Sequence, residues 1–370
     1  MASISKRGST WQYTVSRTVE GKYKPIRKGG YRTKKEASIA AAKIEADLAS
    51  GSLPFVKNTA FTAYFKDWFT IYKRDVSQIT LNSYKAVYIK LFDHFKEMPI
   101  QQITKRDYQV FLNNLGLIAA RDTNRKLNGY LRSCVKEAID EGIIKTDFTR
   151  NATITGKNSK KSSEKFLNYV DSKTLLHYLF KNIEQGLENY MLILALTSGM
   201  RYGELIGLCE KDFNFRNNTI KINKQWRYKE NGGFGPLKNE NSERTISLNK
   251  NTMVYFNNFI KTREKDSKNV HNLVFYDCLS DISVIKNDRL NDVLKAILKR
   301  LDITPLITVH GLRHTHASIL LYQEISVLYV SERLGHASID ITSSTYAHVL
   351  KELRDRDSQK TNKIFENLMN

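Results

Sequence analysis

The stretch 308-TVHGLRHTHASILL-321 places His310, Arg313, His314 and His316 at the entry of an otherwise apolar segment. Residues of these types serve a metal cage, a polar helix entry or a site for an anion. His310 and Arg313, three residues apart, share one face of a helix's first turn, and a helix N-terminus favours negative charge. His310 and His314 also share a face, so a zinc cage of His310, His314 and His316 is the rival. No carboxylate or cysteine stands at a convincing spacing for it.

Other residues qualify for an anion site. Arg201 sits in 197-TSGMRYGELIGL-208, with Leu194, Ala195 and Leu196 before it and Leu205, Ile206 and Leu208 after it. That setting predicts a partly buried guanidinium, and a buried cation needs a partner: Glu204 or an incoming phosphate. Lys238 lies in PLKNENSERTISL at the tip of a predicted hairpin, where a lysine is usually solvated. In 333-RLGHASIDITSSTYAHV-349, His336 follows a Gly-terminated helix and Tyr346 comes ten residues later. The chain holds 19 tyrosines; Tyr322 and Tyr329, on helix faces in apolar company, are poorer candidates than Tyr346.

The elements that must position these residues fall into segments of different texture. Residues 1–57 carry 12 Lys/Arg against 4 Asp/Glu. Alternation over 10–19 and 21–32 followed by an Ala-rich 33–51 predicts a small strand–strand–helix module. A sheet face with Trp11, Tyr13, Tyr23, Lys24 and Arg27 suits a DNA groove. Over 58–150 the period is helical, with stripes of Phe61, Phe65, Trp68, Phe69, Tyr72 and of Leu81, Tyr84, Tyr88, Leu91, Phe92, Phe95 expected in a core. Helices are also expected over 104–115 and 123–142, with Arg121, Arg125 and Lys126 on a solvent face able to track a DNA backbone. Residues 151–165, rich in Lys and Ser, read as an extended linker. From 166 to 370 helices return around strand-like residues 219–248. The expected fold is mixed α/β, mainly α, the last domain helical with a small antiparallel sheet.

Composition narrows the partners. Lys plus Arg number 59 against 38 Asp plus Glu in 370 residues, a formal charge of +21, which favours a polyanion through counterion release. No apolar run approaches the ~18 residues of a spanning helix, and the N-terminus lacks the apolar core of a signal peptide. A cytoplasmic protein without membrane contact is expected. Cys134, Cys209 and Cys278 form no CxxC pair and are expected as buried thiols in a reducing compartment. There is no GxxxxGK[ST], GxGxxG or HExxH, hence no sign of nucleotide hydrolysis.

Arg201, Lys238, His310, Arg313, His336 and Tyr346, within TSGMRYGEL, HGLRHTHAS, LGHASIDIT and TYAHV, stand in an order that resembles the tyrosine recombinases, of the phage or mobile-element integrase type. The likeness covers about 166–350 and, more loosely, a helical core-binding domain at 58–150 and an arm-type DNA-binding domain at 1–57. It implies a site-specific recombinase that cuts and rejoins DNA through a 3′-phosphotyrosyl ester, without metal, ATP or any cofactor. Arg201 and Arg313 would clamp the phosphate, since planar guanidiniums match the charge that grows on its oxygens. Tyr346 would attack, with His310 as proton acceptor and His336 on the phosphate, while Lys238 would protonate the departing 5′ oxygen. Glu204 would orient the cluster. The implied partners are double-stranded DNA at core and arm-type attachment sites, three further copies in a tetramer on DNA, and a host architectural protein or excision factor. The implied place is the bacterial nucleoid. Ile364, Phe365, Leu368 and Met369 form a terminal apolar patch that would dock on its own domain or on a neighbouring copy. A non-enzymatic DNA-binding regulator would share the charge without needing the six-residue set, and a type IB topoisomerase would share the chemistry without choosing partner sites.

Overall fold

The computed structural model describes residues 2–19, 22–49, 59–158, 164–230, 232–347, 349, 357–358 and 361–367. The chain divides into two compact units, Met1–Ser159 and Lys160–Asn370. In the first, strands β1 (Ser3–Arg7), β2 (Thr10–Val15), β3 (Thr18–Val19), β4 (Lys22–Tyr23) and β5 (Ile26–Tyr31) precede helix α1 (Lys34–Ala49). β2 is the centre of an antiparallel sheet ordered β1-β2-β5, and β3 pairs with β4 in a separate ribbon. The structure thus adds β1 to the two expected strands and splits each of those, 10–19 into β2 and β3 and 21–32 into β4 and β5; 3-SISKR-7 is mostly exposed and offers little hydrophobic alternation. Residues 11, 13 and 15 share a face by strand period, and Tyr13 and Val15 are buried there with Ala41 of α1.

That packing corrects the expected DNA-facing surface. Tyr13 is 3% exposed, under α1, with its ring 5.8 Å from that of Tyr31. Trp11 shares that face, where Lys34 Nζ lies 5.9 Å from its ring centre. Arg27, paired with Thr14, is on the opposite, open face. The two aromatic residues and Arg27 therefore do not form one surface; Lys24 and Tyr23 are exposed on the loop and ribbon between.

Four helices follow: α2 (Phe61–Tyr72), α3 (Gln78–Phe95), α4 (Lys105–Ile118) and α5 (Arg121–Asp140). Their facing stripes meet in one core containing Phe61, Phe65, Trp68, Leu91, Phe95, Tyr108, Phe111 and Leu131. Thr104 caps α4 in a reciprocal capping box with Asp107. Two stripe residues leave the core: Tyr72 is 47% exposed, its hydroxyl donating to Glu141 Oε1 at 2.9 Å, and Phe92 is 40% exposed. Tyr72 is the last residue of α2, where the packed face runs out, and Phe92 lies at the edge of its stripe, where helix rotation turns it outward. The expected linker also begins later, because residues 153–157 are tied to this bundle. Arg121 N–H donates to Lys157 O at 2.9 Å, Asn124 Nδ2 to Thr155 O at 3.0 Å and Thr155 Oγ1 to Leu112 O at 2.9 Å. The next part, 159–163, lies outside the described residues.

The second unit comprises α6 (Tyr169–Lys181), α7 (Leu187–Ser198), α8 (Tyr202–Ile206), β6 (Phe213–Asn214), β7 (Thr219–Ile222), β8 (Gln225–Trp226), β9 (Phe234–Gly235), β10 (Arg244–Ser247), α9 (Lys250–Thr262), α10 (Asn287–Arg300), α11 (Val309–Tyr322), α12 (Val327–Leu334) and α13 (Ile339–Thr345). The fold is mainly helical with small antiparallel sheets, ordered β10-β7-β6 and β8-β9. α7 is apolar on nearly every side and is buried accordingly, Met191 through Ala195 being 0–1% exposed. α11 packs against it, which brings the ends of α7 and α11 together. Cys134 and Cys209 are buried thiols, whereas Cys278 is exposed, contrary to the expectation that all three are interior; it lies outside the helices and strands, in the connection between α9 and α10. Among the described residues, no helix is long and apolar enough to cross a membrane.

Candidate active site

Gly199 ends α7 in the left-handed conformation, φ +68°, and a Cβ there would sit 2.7 Å from the His316 ring. The tight turn delivers Arg201 to the start of α8. Its Nη1 donates to Glu204 Oε1 at 2.7 Å and to Ser242 Oγ at 3.2 Å, and its Nη2 to Gly335 O at 3.0 Å. Glu204 is 2% exposed, and its other oxygen receives both the Arg201 backbone N–H at 3.0 Å and Arg244 Nη2 at 2.8 Å. Burial alone would raise its pKa, but the Arg244 and Arg201 guanidiniums outweigh that and hold it below the ordinary carboxylate value.

Thr308 caps α11 by accepting the Gly311 N–H. Arg313, one turn in and 3% exposed, donates from Nη1 to Gly199 O and from Nη2 to Leu334 O, both at 2.7 Å. Burial, then the Arg201 charge, lowers its pKa to about 9, so it stays cationic at neutral pH. Among the described residues, Nε and the second N–H of each terminal nitrogen have no protein acceptor. Crowding by protein, then Arg313, Arg201 and Lys238, lowers the pKa of His310, which keeps a solvent-exposed edge.

Gly335, φ +66°, ends α12 and aims His336 back at the cluster. The His336 ring shares a 2.7 Å hydrogen bond from Nδ1 with the buried Thr342 hydroxyl. Burial and then Arg313 push its pKa down to about 3. Tyr346 caps the C-terminal end of α13 and is 2% exposed in a cluster with Ala317, Leu321, Val330, Leu334 and Val349. Burial pushes its hydroxyl up to about 12, against the pull of Arg313. The partner of that hydroxyl is His314, whose Nδ1 lies 3.0 Å away, not the expected proton acceptor His310. Residue i+4, rather than i, of the α11 face stands over the end of α13.

Lys238 is exposed on the connection from β9 to β10. It is not at a hairpin tip, because β8 pairs with β9 several residues earlier and β10 pairs with β7 instead. Its charge is felt at His310. His316 does not join His310 and His314. Its Nδ1 meets Leu196 O at 2.9 Å and its Nε2 receives Arg333 Nε–H at 3.0 Å. Both ring nitrogens are therefore used, and Nδ1 must carry the proton. Among the described residues, no group of three or more His, Cys, Asp or Glu is placed to hold a metal ion.

Sequence reasoning passed over Arg244, Arg333, Ser242 and Thr342, which hold this cluster from outside it. Arg244 opens a short strand and Arg333 closes a helix, positions that look like ordinary surface cations. Arg121, Arg125 and Lys126 are exposed along the start of α5, where Arg121 Nε donates to Ile154 O at 3.1 Å and Arg125 pairs with Asp122.

Residues 165–352 match the phage integrase family, residues 2–48 the arm DNA-binding domain and residues 60–116 the N-terminal SAM-like domain of phage integrases. The integrase of Staphylococcus phage L54a is 25% identical over 353 residues, covering 87% of this chain and 98% of that protein. The ICEBs1 integrase of Bacillus subtilis (strain 168) is 24% identical over 349 residues, covering 88% and 89%. Among solved structures, a Tn1549 transposon integrase in complex with a circular intermediate DNA superposes with a TM-score of 0.67 at 17% identity, covering 80% of this chain and 99% of that one. A lambda integrase dimer bound to a COC′ core site gives 0.58 at 16% identity, covering 92% and 93%.

Proposed function

This chain belongs to the phage integrase family and is a tyrosine recombinase; from that premise we propose that Arg201, Lys238, His310, Arg313, His336 and Tyr346 carry its reaction on double-stranded DNA. The observation that supports the assignment most directly is the joint position of Arg201 and Arg313. Far apart in sequence, they are anchored on the neighbouring carbonyls of Leu334 and Gly335 at 2.7 and 3.0 Å. Two guanidiniums fixed on adjacent peptide groups converge on one small volume, and a phosphodiester is the ligand whose growing charge they would stabilise.

Tyr346 attacks phosphorus, His310 and His336 face the phosphate, and Lys238 protonates the 5′ oxygen as it leaves. Glu204 holds Arg201 by a bidentate grip on its backbone and side chain. The resulting 3′-phosphotyrosyl ester keeps the energy of the bond it replaces, so a 5′ hydroxyl from a second duplex can reverse the step. The arm module binds DNA apart from the cleavage site and the α2–α5 bundle binds near it, with Arg121, Arg125, Lys126, Arg27 and Lys24 on backbone phosphates. Trp11 is half-covered and Tyr13 buried, so neither is assigned a DNA contact in this arrangement. Four copies act on two duplexes, aided by a host architectural protein or an excision factor. The match to an arm DNA-binding domain favours this reading over a topoisomerase that relaxes any duplex.

A nicked suicide substrate carrying candidate attachment-site sequence tests the assignment. The wild-type protein should form a covalent adduct that survives denaturation, and Tyr346→Phe should bind the same DNA without forming it. A Tyr346→Phe adduct would overturn the choice of nucleophile.

A further inference from the structure

Lys238 stands on a stretch of chain that no sheet holds. β9 ends at Gly235 and β10 begins at Arg244, and the residues between them take no part in a strand ladder. The exposed Lys238 nonetheless brings its charge to bear on the His310 ring. A lysine that delivers a proton must place Nζ within hydrogen-bond reach of one oxygen, and its four-carbon stem is too flexible to set that direction alone. The backbone on either side has to set it.

Two side-chain amides hold that backbone. On the N-terminal side, Gln225 Nε2 donates to Pro236 O at 2.7 Å. Gln225 in turn lies against α8, where a Cβ on Gly203 would come 3.2 Å from its Oε1. On the C-terminal side, Asn241 Nδ2 donates to Ala337 O at 3.0 Å, just past His336. The single 3-10 turn Glu240–Ser242 is pressed against that same segment: a Cβ on Gly335 would stand 3.2 Å from Asn241 O. The buried Ser242 hydroxyl receives Arg201 Nη1 at 3.2 Å and donates to Asn239 Oδ1. Pro236 is thus tied to the helix that Arg201 opens, and Asn241 to the residue after His336. Resting on the assignment of Lys238 as proton donor above, we infer that Gln225 and Asn241 are positioning residues for the leaving-group step. They fix both ends of the 236–241 connection on the elements bearing Arg201 and His336, so that Lys238 Nζ reaches O5′ in register with the phosphate clamp. Both bonds lie near the surface, where one hydrogen bond contributes little to net stability. Their effect is on direction more than on folding.

The step balances. As the Tyr346 oxygen bonds to phosphorus, the P–O5′ bond breaks with its electron pair staying on O5′, which takes a proton from Lys238 Nζ. The lysine is left neutral and recovers a proton from the 5′ hydroxyl on religation. A sulfur in place of O5′ leaves as a thiolate, which is far less basic than an alkoxide and needs no such proton.

The test uses the full-length chain and nicked suicide duplexes of attachment-site sequence, with either oxygen or sulfur bridging the scissile phosphate to the 5′ carbon. Asn241→Ala and Gln225→Met, the latter keeping the side-chain length without the amide, should melt and bind DNA as wild type does. On the oxygen substrate each should form adduct at least about tenfold more slowly, within the loss of up to about a hundredfold that a misplacement of about 1 Å brings. On the sulfur substrate both should come within about twofold of wild type, since a thiolate leaves without a general acid. Lys238→Ala should be slower still on oxygen and recover on sulfur in the same way, whereas Arg201→Lys, which weakens the clamp, should stay slow on both. A wild-type rate on the oxygen substrate in either amide variant, or a slowing equal on oxygen and sulfur, would overturn the inference while leaving the role of Lys238 intact. A Lys238→Ala protein that stays slow on sulfur would overturn the proton-donor reading itself, and the inference with it.

Discussion

Arg244 Nη2 meets Glu204 Oε2 at 2.8 Å, a contact between a residue 7% exposed and one 2% exposed. Through Glu204 the strand-borne Arg244 supports Arg201, and through its Nε, which donates to Arg333 O at 2.7 Å, it also fixes the end of α12 that carries His336. One buried carboxylate thus joins the three segments 201–204, 244 and 333–336. The same buried position that makes the contact strong makes it costly to break, because an unpaired charge in the interior has no water to turn to.

Glu204→Gln keeps the shape of the side chain and removes its charge. The expected loss is ~3 kcal/mol, the lower end for removing one partner of a buried ion pair, since Arg201 keeps some access to water. Adduct formation should fall with it. The pH dependence follows from the lowered folded pKa of Glu204 relative to its ordinary 4.5. The unfolded chain takes up the proton first, so the stabilisation is full above about 4.5 and is lost as pH falls through the folded value. Urea titrations at pH 7 and 4 check both statements; the stability gap between wild type and Glu204→Gln should be smaller at pH 4.

His316 gives a second, separable pH effect. It is 6% exposed, and burial together with Arg333 lowers its pKa from 6.5 to about 3. A group with a depressed folded pKa stabilises the protein above its unfolded pKa, so this contribution should decline as pH drops below about 6.5. The slope for one histidine is at most ~1.4 kcal/mol per pH unit. His316→Gln, which can still accept from Arg333, should be less stable at pH 7 and show a shallower decline between pH 6.5 and 5. Equal slopes for the two proteins would mean that His316 does not resist protonation in the folded chain.

The six residues singled out in the sequence stand on the elements expected for most of them: Arg201 after an apolar helix, His310 and Arg313 on one helical turn, His336 past a Gly-ended helix. Those features are local, written by apolar period, caps and glycine. What was not legible is what depends on contacts between distant segments. His314 and His316 look alike in HTHAS, yet two residues of helical rotation send one to Tyr346 and the other into the core against Leu196. Likewise Tyr13 reads as a surface aromatic in a basic strand, and only the docking of α1 decides which sheet face is covered.

Gly335 is needed twice over. Its φ of +66° disfavours a side chain, and a Cβ would stand 3.0 Å from both Arg244 Nη1 and Ser242 Cα. Gly335→Ala should lower stability by ~1–2 kcal/mol and, because the Gly335 carbonyl holds Arg201, slow adduct formation more than tenfold with DNA affinity little changed. Gel-shift and adduct assays on the same preparation separate the two effects.

The cations at the start of α5 should act through charge alone. Arg125 is paired with Asp122, with both side chains more than half exposed, and such a pair holds weakly enough to yield to a phosphate. Arg121→Ala, Arg125→Ala and Lys126→Ala should each weaken binding to any duplex sequence. Each should also reduce the steepness of log K against log salt by about 1 if the residue neutralises one phosphate. An unchanged salt slope would remove that residue from the DNA surface.

The C-terminal tail bears on assembly. Residues 361–367 form a helical turn on which Ile364 and Phe365 are 58% and 60% exposed; Leu368 and Met369, which extend the apolar patch in sequence, lie outside the described residues. Two large apolar side chains exposed on one short helix are poorly placed in water and gain by being covered. A cover supplied by a neighbouring copy on DNA would tie the tail to synapsis, whereas a cover supplied by the same unit would tie it to folding. Truncation after Lys360 should therefore leave the melting temperature and single-site binding near wild type while reducing the two-duplex complex several-fold, as read by native gel or mass photometry. A truncated chain that melts lower and assembles normally would place the tail on its own domain instead.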